Sequence, residues 1–189
     1  MSNIAIFASG SGTNAEQIIR YFREDPEHRV SLVLSNKPDA FVLERARRFA
    51  VPTSVFDRAA FYRSGFVLDQ LREAAIDLIV LAGFLWMVPE NLLKAYPSRI
   101  VNIHPALLPA FGGRGMYGLR VHEEVIRTRQ ARSGITIHVV DEVYDHGEIL
   151  FQAECPVLPG DTPESLAERI HELEHQHYPR VIREYLKQW

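Results

Sequence analysis

Ile4-Ala5-Ile6-Phe7-Ala8-Ser9-Gly10-Ser11-Gly12-Thr13-Asn14-Ala15-Glu16 is the stretch whose reading decides the fold. Ile4–Phe7 is β-prone and apolar without alternation, as in a strand covered on both faces. Ser9 to Asn14 is a glycine-rich turn, and Thr13 with Glu16 fits the S/T-x-x-E capping box of a helix start. A strand that runs through a tight turn straight into a helix is the opening unit of an α/β fold.

The same alternation continues outward. Val30–Leu34, Thr53–Phe56, Leu78–Leu81, Ile100–Ile103, Ile135–Val140 and Ile149–Ala153 read as further strands. Asn14–Phe22, Val42–Phe49, Val67–Ala74 and Glu90–Tyr96 place apolar residues at helical spacing. The pattern predicts a doubly wound, mainly parallel, Rossmann-like sheet with helices on both faces. Phe111–Leu119 carries four glycines and reads as a mobile loop. A final helix is expected after Thr162 as N-cap and Pro163 at the first helical position, where a missing N–H costs nothing. With no repeat or linker, residues 1–189 read as one domain.

Bulk properties narrow the function classes. A net charge of −3 across 189 residues offers no basic stripe for nucleic acid. The single Cys155 suits a reducing compartment and reads as a buried strand residue. The N-terminus has no basic leader, and the longest uncharged apolar stretch, Leu78 to Pro89, is 12 residues, against about 20 for a membrane-spanning helix. A cytoplasmic protein without membrane or nucleic-acid partners, monomeric or homodimeric, is the expectation.

The glycine turn suits a phosphate, because a helix N-terminus presents free N–H groups and a positive dipole end. Gly10, Gly12 and Ala15 also satisfy G-x-G-x-x-A, a weak dinucleotide signal. A dinucleotide site asks for an acidic residue after the second strand, where this chain has Ser35-Asn36-Lys37. A mononucleotide-like phosphate fits better, with a bare tight turn as the bland alternative.

Val101-Asn102-Ile103-His104-Pro105 ends a predicted central strand, where open α/β sheets place their ligand crevice. Side chains alternate along a strand, so Asn102 and His104 point to one side. An amide donor and an imidazole facing one spot can stabilise a tetrahedral oxyanion while the imidazole moves a proton. Donation asks for a protonated ring, which a nearby carboxylate favours. Asp145 is a candidate, in a turn that also holds Asp141, Glu142 and His146. Spacing alone leaves the pairing open.

Asn102-Ile103-His104-Pro105-Ala106-Leu107-Leu108-Pro109, Gly10-Ser11-Gly12-Thr13-Asn14, Leu81-Ala82-Gly83-Phe84 and Tyr144-Asp145-x-Gly147 resemble the phosphoribosylglycinamide formyltransferases, a folate-dependent formyltransferase family. The resemblance runs nearly end to end. It implies formyl transfer from 10-formyltetrahydrofolate, a co-substrate, to the amine of glycinamide ribonucleotide, with Asn102, His104 and Asp145 catalytic and no metal. It also implies that Gly12, Thr13 and Asn14 hold the phosphate region. The folate then lies along Leu85, Trp86, Met87 and Val88, beside Asn102, and along Asp141, Glu142, Val143, Tyr144 and Asp145. Without the resemblance, Leu85–Val88 reads as a core edge. The chain departs from the family in a longer glycine loop and in Arg120, which stands where a histidine beside the catalytic aspartate is often found. His122, His138 and His146 are the candidate replacements, and Arg114 and Arg120 are candidates to face the folate tail or the phosphate.

His171-Glu172-Leu173-Glu174-His175 is a literal H-E-x-x-H, which taken alone reads as a zinc hydrolase using His171 and His175. A solvated helix face is the commoner reading. The resemblance instead matches Glu174 to a residue at the glycinamide end of the ribonucleotide, with His171 one turn before it. Formyltetrahydrofolate hydrolysis and methionyl-tRNA formylation share an Asn-x-His core, but both enzymes carry an extra domain for which 189 residues leave no room. A non-catalytic nucleotide-binding module is the remaining alternative.

Overall fold

The computed structural model describes residues 1–188. The first half runs β1 (Ser2–Phe7), α1 (Thr13–Phe22), β2 (His28–Ser35), α2 (Phe41–Arg48), β3 (Thr53–Val55), α3 (Arg58–Tyr62), α4 (Phe66–Glu73) and β4 (Leu78–Leu81). Then follow α5 (Glu90–Ala95), β5 (Ile100–His104), α6 (Leu119–Arg127), β6 (Arg132–Val139), β7 (Ile149–Pro156) and α7 (Pro163–Leu186). The strands form one seven-stranded sheet in the order β3-β2-β1-β4-β5-β6-β7. Pairs from β3 to β5 are parallel, whereas β6 is antiparallel to β5 and β7 to β6. The predicted doubly wound, mainly parallel sheet is present.

Continuous apolar strands feed two cores because successive side chains leave opposite faces. Ile4, Ile6, Val80, Val101 and Ile103 pack with α1, α2, α6 and α7 on one face. Ala5, Phe7, Ile79, Leu81 and Ile100 pack with α3, α4 and α5 on the other. Burying each large side chain contributes about 1.5–3 kcal/mol. Tyr178 of α7 is wholly buried, and its hydroxyl donates to the carbonyls of Leu81 (2.9 Å) and Val101 (3.3 Å), tying the ends of β4 and β5 to the long helix. No helix among the described residues is long and apolar enough to cross a membrane.

Several local expectations change. α1 is capped by Gly12 in a left-handed conformation, with no side-chain cap bond. Thr13 is already helical, so its hydroxyl does not serve as the cap, and Glu16 instead pairs with Arg20 and Arg45. The predicted Thr162 cap is present, reinforced by Ser165, with Pro163 at the first helical position. The short α3 and the whole of α6 were not read from the sequence. The expected loop therefore ends at Gly118, because Leu119 opens α6, and the loop is tied by Met116 N–H to the Gly113 carbonyl and by Gly113 N–H to Asp145. β6 runs antiparallel to β5, unlike the parallel pairs from β3 to β5. The turn that follows it reaches the crevice because 141–148 folds back, with Glu148 accepting from Val139 N–H.

Candidate functional site

β1 and β4 are neighbours whose following connections leave in opposite directions, and such a switch point opens a crevice at the strands' carboxyl ends. A cavity of about 880 Å³ lies there. Its walls come from the glycine turn, the segment after β4, the end of β5, the 113–119 loop, the 140–145 turn and one side of α7.

At the glycine turn, Gly12 has φ 74°, and a Cβ there would stand 2.5 Å from the Cβ of Val42. Both conformation and packing therefore require glycine. Arg45 Nε donates to the Ser11 carbonyl and fixes the turn against α2. The first N–H groups of α1 have no intrahelical acceptor and face the cavity beside Thr13, Asn14 and Lys37. Lys37, not singled out from the sequence as a binding residue, adds a cation to this anion-suited end.

Beside α1, on α7, Glu174 is nearly buried, at 4% exposed. Its Oε2 accepts from Asn14 Nδ2 (2.7 Å) and from His171 Nδ1 (2.9 Å). The bond to Glu174 holds the His171 imidazole above its ordinary pKa. The zinc reading of H-E-x-x-H gains no support here, since His171 and His175 are not part of a group of histidines and acids close enough to share an ion among the described residues. Among the described residues, the histidine and acid group close enough to hold an ion is Asp25, Glu27 and His28, at the far end of β2 from the crevice.

Asn102 and His104 share a side of β5; His104 faces Asp145 directly, and Asn102 bonds His138, which faces it too. His104 Nδ1 lies 3.6 Å from Asp145 Oδ2, and His138 Nε2 lies 3.7 Å from Oδ1. His138 stands opposite Asn102 in the β5–β6 pairing. Of the three candidate histidines, His138 is thus the one that faces Asp145. His146 pairs with Asp141 (3.0 Å), and His122 lines the cavity from α6. Gly113 N–H donates to Asp145 Oδ2 (2.9 Å). Arg114 lines the cavity, whereas Arg120 is exposed and off it.

The hydrogen-bond network fixes the proton positions. His138 Nδ1–H donates to the Val139 carbonyl (2.9 Å), so its Nε2 is the acceptor for Asn102 Nδ2–H (3.1 Å). The amide keeps its second N–H. His104 Nε2–H donates to the Phe111 carbonyl (2.7 Å). The ring nitrogens facing Asp145 are therefore the ones that gain a proton. Burial holds His104 below the ordinary imidazole pKa, outweighing the opposing pull of Asp145 and of the Phe111 carbonyl. This corrects the expectation of a resting imidazolium: the neighbouring carboxylate acts in the anticipated direction, but burial at 3% exposure is the larger effect. For Asp145 the balance goes the other way. Burial pushes its carboxyl up, but His138, His104 and the Gly113 amide together hold it below the usual range.

Asp145 and Phe111 both sit in the left-handed region, at φ 53° and 56°. Non-glycine residues adopt it at a cost, and such positions cluster at working sites. Gly147 lets the turn close, because a Cβ there would lie 1.8 Å from the Val139 carbonyl.

The remaining wall is apolar. Leu85, Met87, Val143 and Tyr144 are large apolar side chains left 39–57% exposed, and all four line the cavity. Trp86 and Val88 alternate with them and also line the cavity, but are less exposed. Trp86 packs on Phe56, Phe61 and Phe84, and Val88 is buried. Asp141 lines the cavity, while Glu142, expected beside the folate, is exposed and off it.

The chain belongs to the formyl transferase family, whose model matches residues 2–182. Within that class, several relatives carry the name phosphoribosylglycinamide formyltransferase. A phosphoribosylglycinamide formyltransferase of Bacillus subtilis is 39% identical over 193 residues, covering 98% of this chain and 95% of the relative. A chloroplastic one from Arabidopsis thaliana is 42% identical over 95% of this chain, which spans 63% of that relative's length. The crystal structure of glycinamide ribonucleotide transformylase 1 from Symbiobacterium toebii superposes with a TM-score of 0.89 at 41% identity, covering 97% of this chain and 86% of that one.

Proposed function

We propose that the chain transfers the formyl group of 10-formyltetrahydrofolate to the amine of glycinamide ribonucleotide in de novo purine biosynthesis, with Asn102, His104 and Asp145 as catalytic residues. The observation that carries the reading is their convergence on one patch of cavity wall, between an anion-suited turn and an apolar slot. The ribonucleotide occupies the end built by Gly12, Thr13, Asn14, His171 and Glu174. The folate lies against Leu85, Met87, Val143 and Tyr144, with Trp86 and Val88 as the backing of that slot and Asp141 at its edge. The chain acts as one formyltransferase domain, and its free Cys155 fits the reducing cytoplasm.

The amine attacks the formyl carbon and the carbonyl oxygen becomes an oxyanion. The free N–H of Asn102 donates to it, and His104 Nε2–H exchanges the Phe111 carbonyl for the same oxygen. One such donor is worth about 3–4 kcal/mol of transition-state stabilisation. As the amine forms its new bond it loses a proton. His104 Nδ1 takes up a proton against the Asp145 carboxylate, which stabilises the imidazolium and offsets the burial that keeps the resting ring neutral. Collapse of the intermediate breaks the bond to the folate nitrogen, which leaves with the proton that His104 took up, returning the ring to its neutral state. No step calls on a metal ion.

The test mixes protein, 10-formyltetrahydrofolate and glycinamide ribonucleotide and follows tetrahydrofolate release. Release that depends on the amine is expected. Equal release without the amine indicates a hydrolase, and no release in either case overturns the reading.

A further inference from the structure

Of the four histidines that line the cavity, His104 and His138 face Asp145 and His171 bonds Glu174. His122 is left. It sits on α6 where that helix packs against α7, is 3% exposed, and its Nδ1 is shut off from solvent without a hydrogen-bond partner. Such an orphan costs about 1–3 kcal/mol, so an unpaired imidazole at a cavity wall is tolerated where a ligand uses the ring.

Its surroundings repeat the pattern. Asn14 Oδ1 is also buried and unpaired, and both bonds to Glu174 fall on Oε2. Three helices thus bring together an amide oxygen, a carboxylate and an imidazole with unused hydrogen-bonding capacity. Burial pushes His122 down to about 4, so at neutral pH the ring is uncharged, with one N–H and one lone pair. The ligand group that suits this set both donates, to the carboxylate or amide oxygen, and accepts, from the imidazole. An ammonium only donates, a phosphate dianion only accepts and an amide donates and accepts on two separate atoms, whereas a hydroxyl does both on one atom, as a carboxylate and an imidazole converging on one spot require.

We propose that His122 is a specificity-determining residue for the ribonucleotide, its ring N–H donating to a ribose hydroxyl whose own proton goes to Glu174. The proposal rests on the formyl-transfer reading above and adds a residue that neither the catalytic group nor the phosphate turn requires.

The experiment compares the parent with His122→Phe and His122→Asn, using glycinamide ribonucleotide and its two monodeoxyribose analogues. With the natural substrate, His122→Phe raises KM for the ribonucleotide about tenfold, the worth of one net hydrogen bond. kcat and the KM for formyl-folate stay within about twofold. The asparagine variant regains part of the loss. On one deoxy analogue the parent is already weakened, and His122→Phe adds nothing further. An unchanged ribonucleotide KM overturns the proposal, as does an equal added loss on every analogue, which marks a structural role. If His122→Phe does not fold, the same comparisons are read from His122→Asn. If the parent itself fails to formylate the amine, the reaction assignment is what has failed, and calorimetric binding of the same ribonucleotides still decides the role of His122.

Discussion

Replacing Asp145 by Asn removes one charge and little else. The amide oxygen can still accept from Gly113 N–H, now 2.9 Å from Oδ2, so the turn keeps its anchor. What disappears is the carboxylate 3.6 Å from His104 Nδ1. At that separation and an effective dielectric constant of about 20, Coulomb's law gives about 4–5 kcal/mol for a carboxylate and an imidazolium. The side-chain dipole of Asn returns part of this, so about 3–4 kcal/mol of transition-state stabilisation is lost. That is about a 10²–10³-fold fall in kcat. The ribonucleotide site, built around Gly12, Asn14 and Glu174, does not touch Asp145, so its KM stays within about twofold. Steady-state tetrahydrofolate release with each substrate varied in turn measures both. A kcat within threefold of the parent, or a loss confined to KM, refutes the role given to Asp145.

Four further outcomes are expected. His138→Phe removes one of the groups that, with His104 and the Gly113 amide, hold the Asp145 carboxyl low, so the carboxyl rises and the acid limb of the kcat–pH profile moves to higher pH. His122 has a folded pKa of about 4 against about 6.5 in an unfolded chain. The unfolded chain protonates first, so the contribution of His122 to stability, full above pH 6.5, falls as pH drops toward 4, by up to about 1.4 kcal/mol per unit. Denaturant titrations of His122→Phe therefore show a shallower loss between pH 6.5 and 4.5; His171, whose raised pKa acts in the opposite sense, is common to both proteins. Gly12→Ala meets Val42 at 2.5 Å in a φ of 74°, costing about 1–3 kcal/mol of stability and raising the ribonucleotide KM. Dialysis against a chelator leaves formyl transfer intact; loss restored by zinc contradicts the metal-free mechanism.

The parallel half of the sheet was legible because burial on both faces makes continuous apolar runs such as Ile4–Phe7 and Leu78–Leu81. The antiparallel direction of β6 was not, since the residues of a strand do not encode its partner's direction. α6 escaped notice because it follows the glycine loop directly and opens without a side-chain cap. Alternation placed Asn102 and His104 together, as two positions on one strand must be. The approach of His104 to Asp145 depends on a reversed strand, a left-handed aspartate and Gly147 closing the turn, none of which spacing reveals. All four of Leu85, Trp86, Met87 and Val88 line the cavity, and their alternation leaves Leu85 and Met87 the more exposed. From composition alone the four looked alike. The charge state of His104 was misread for a related reason: its carboxylate neighbour could be inferred, but the depth of its burial depends on the loop that covers it.

Formyl transfer itself is tested most directly by the fate of the carbon. With 10-formyltetrahydrofolate labelled at the formyl carbon and an excess of glycinamide ribonucleotide, the account predicts one labelled formamide on the ribonucleotide for each tetrahydrofolate formed, and no labelled formate. Label recovered as formate in proportion to tetrahydrofolate would contradict it.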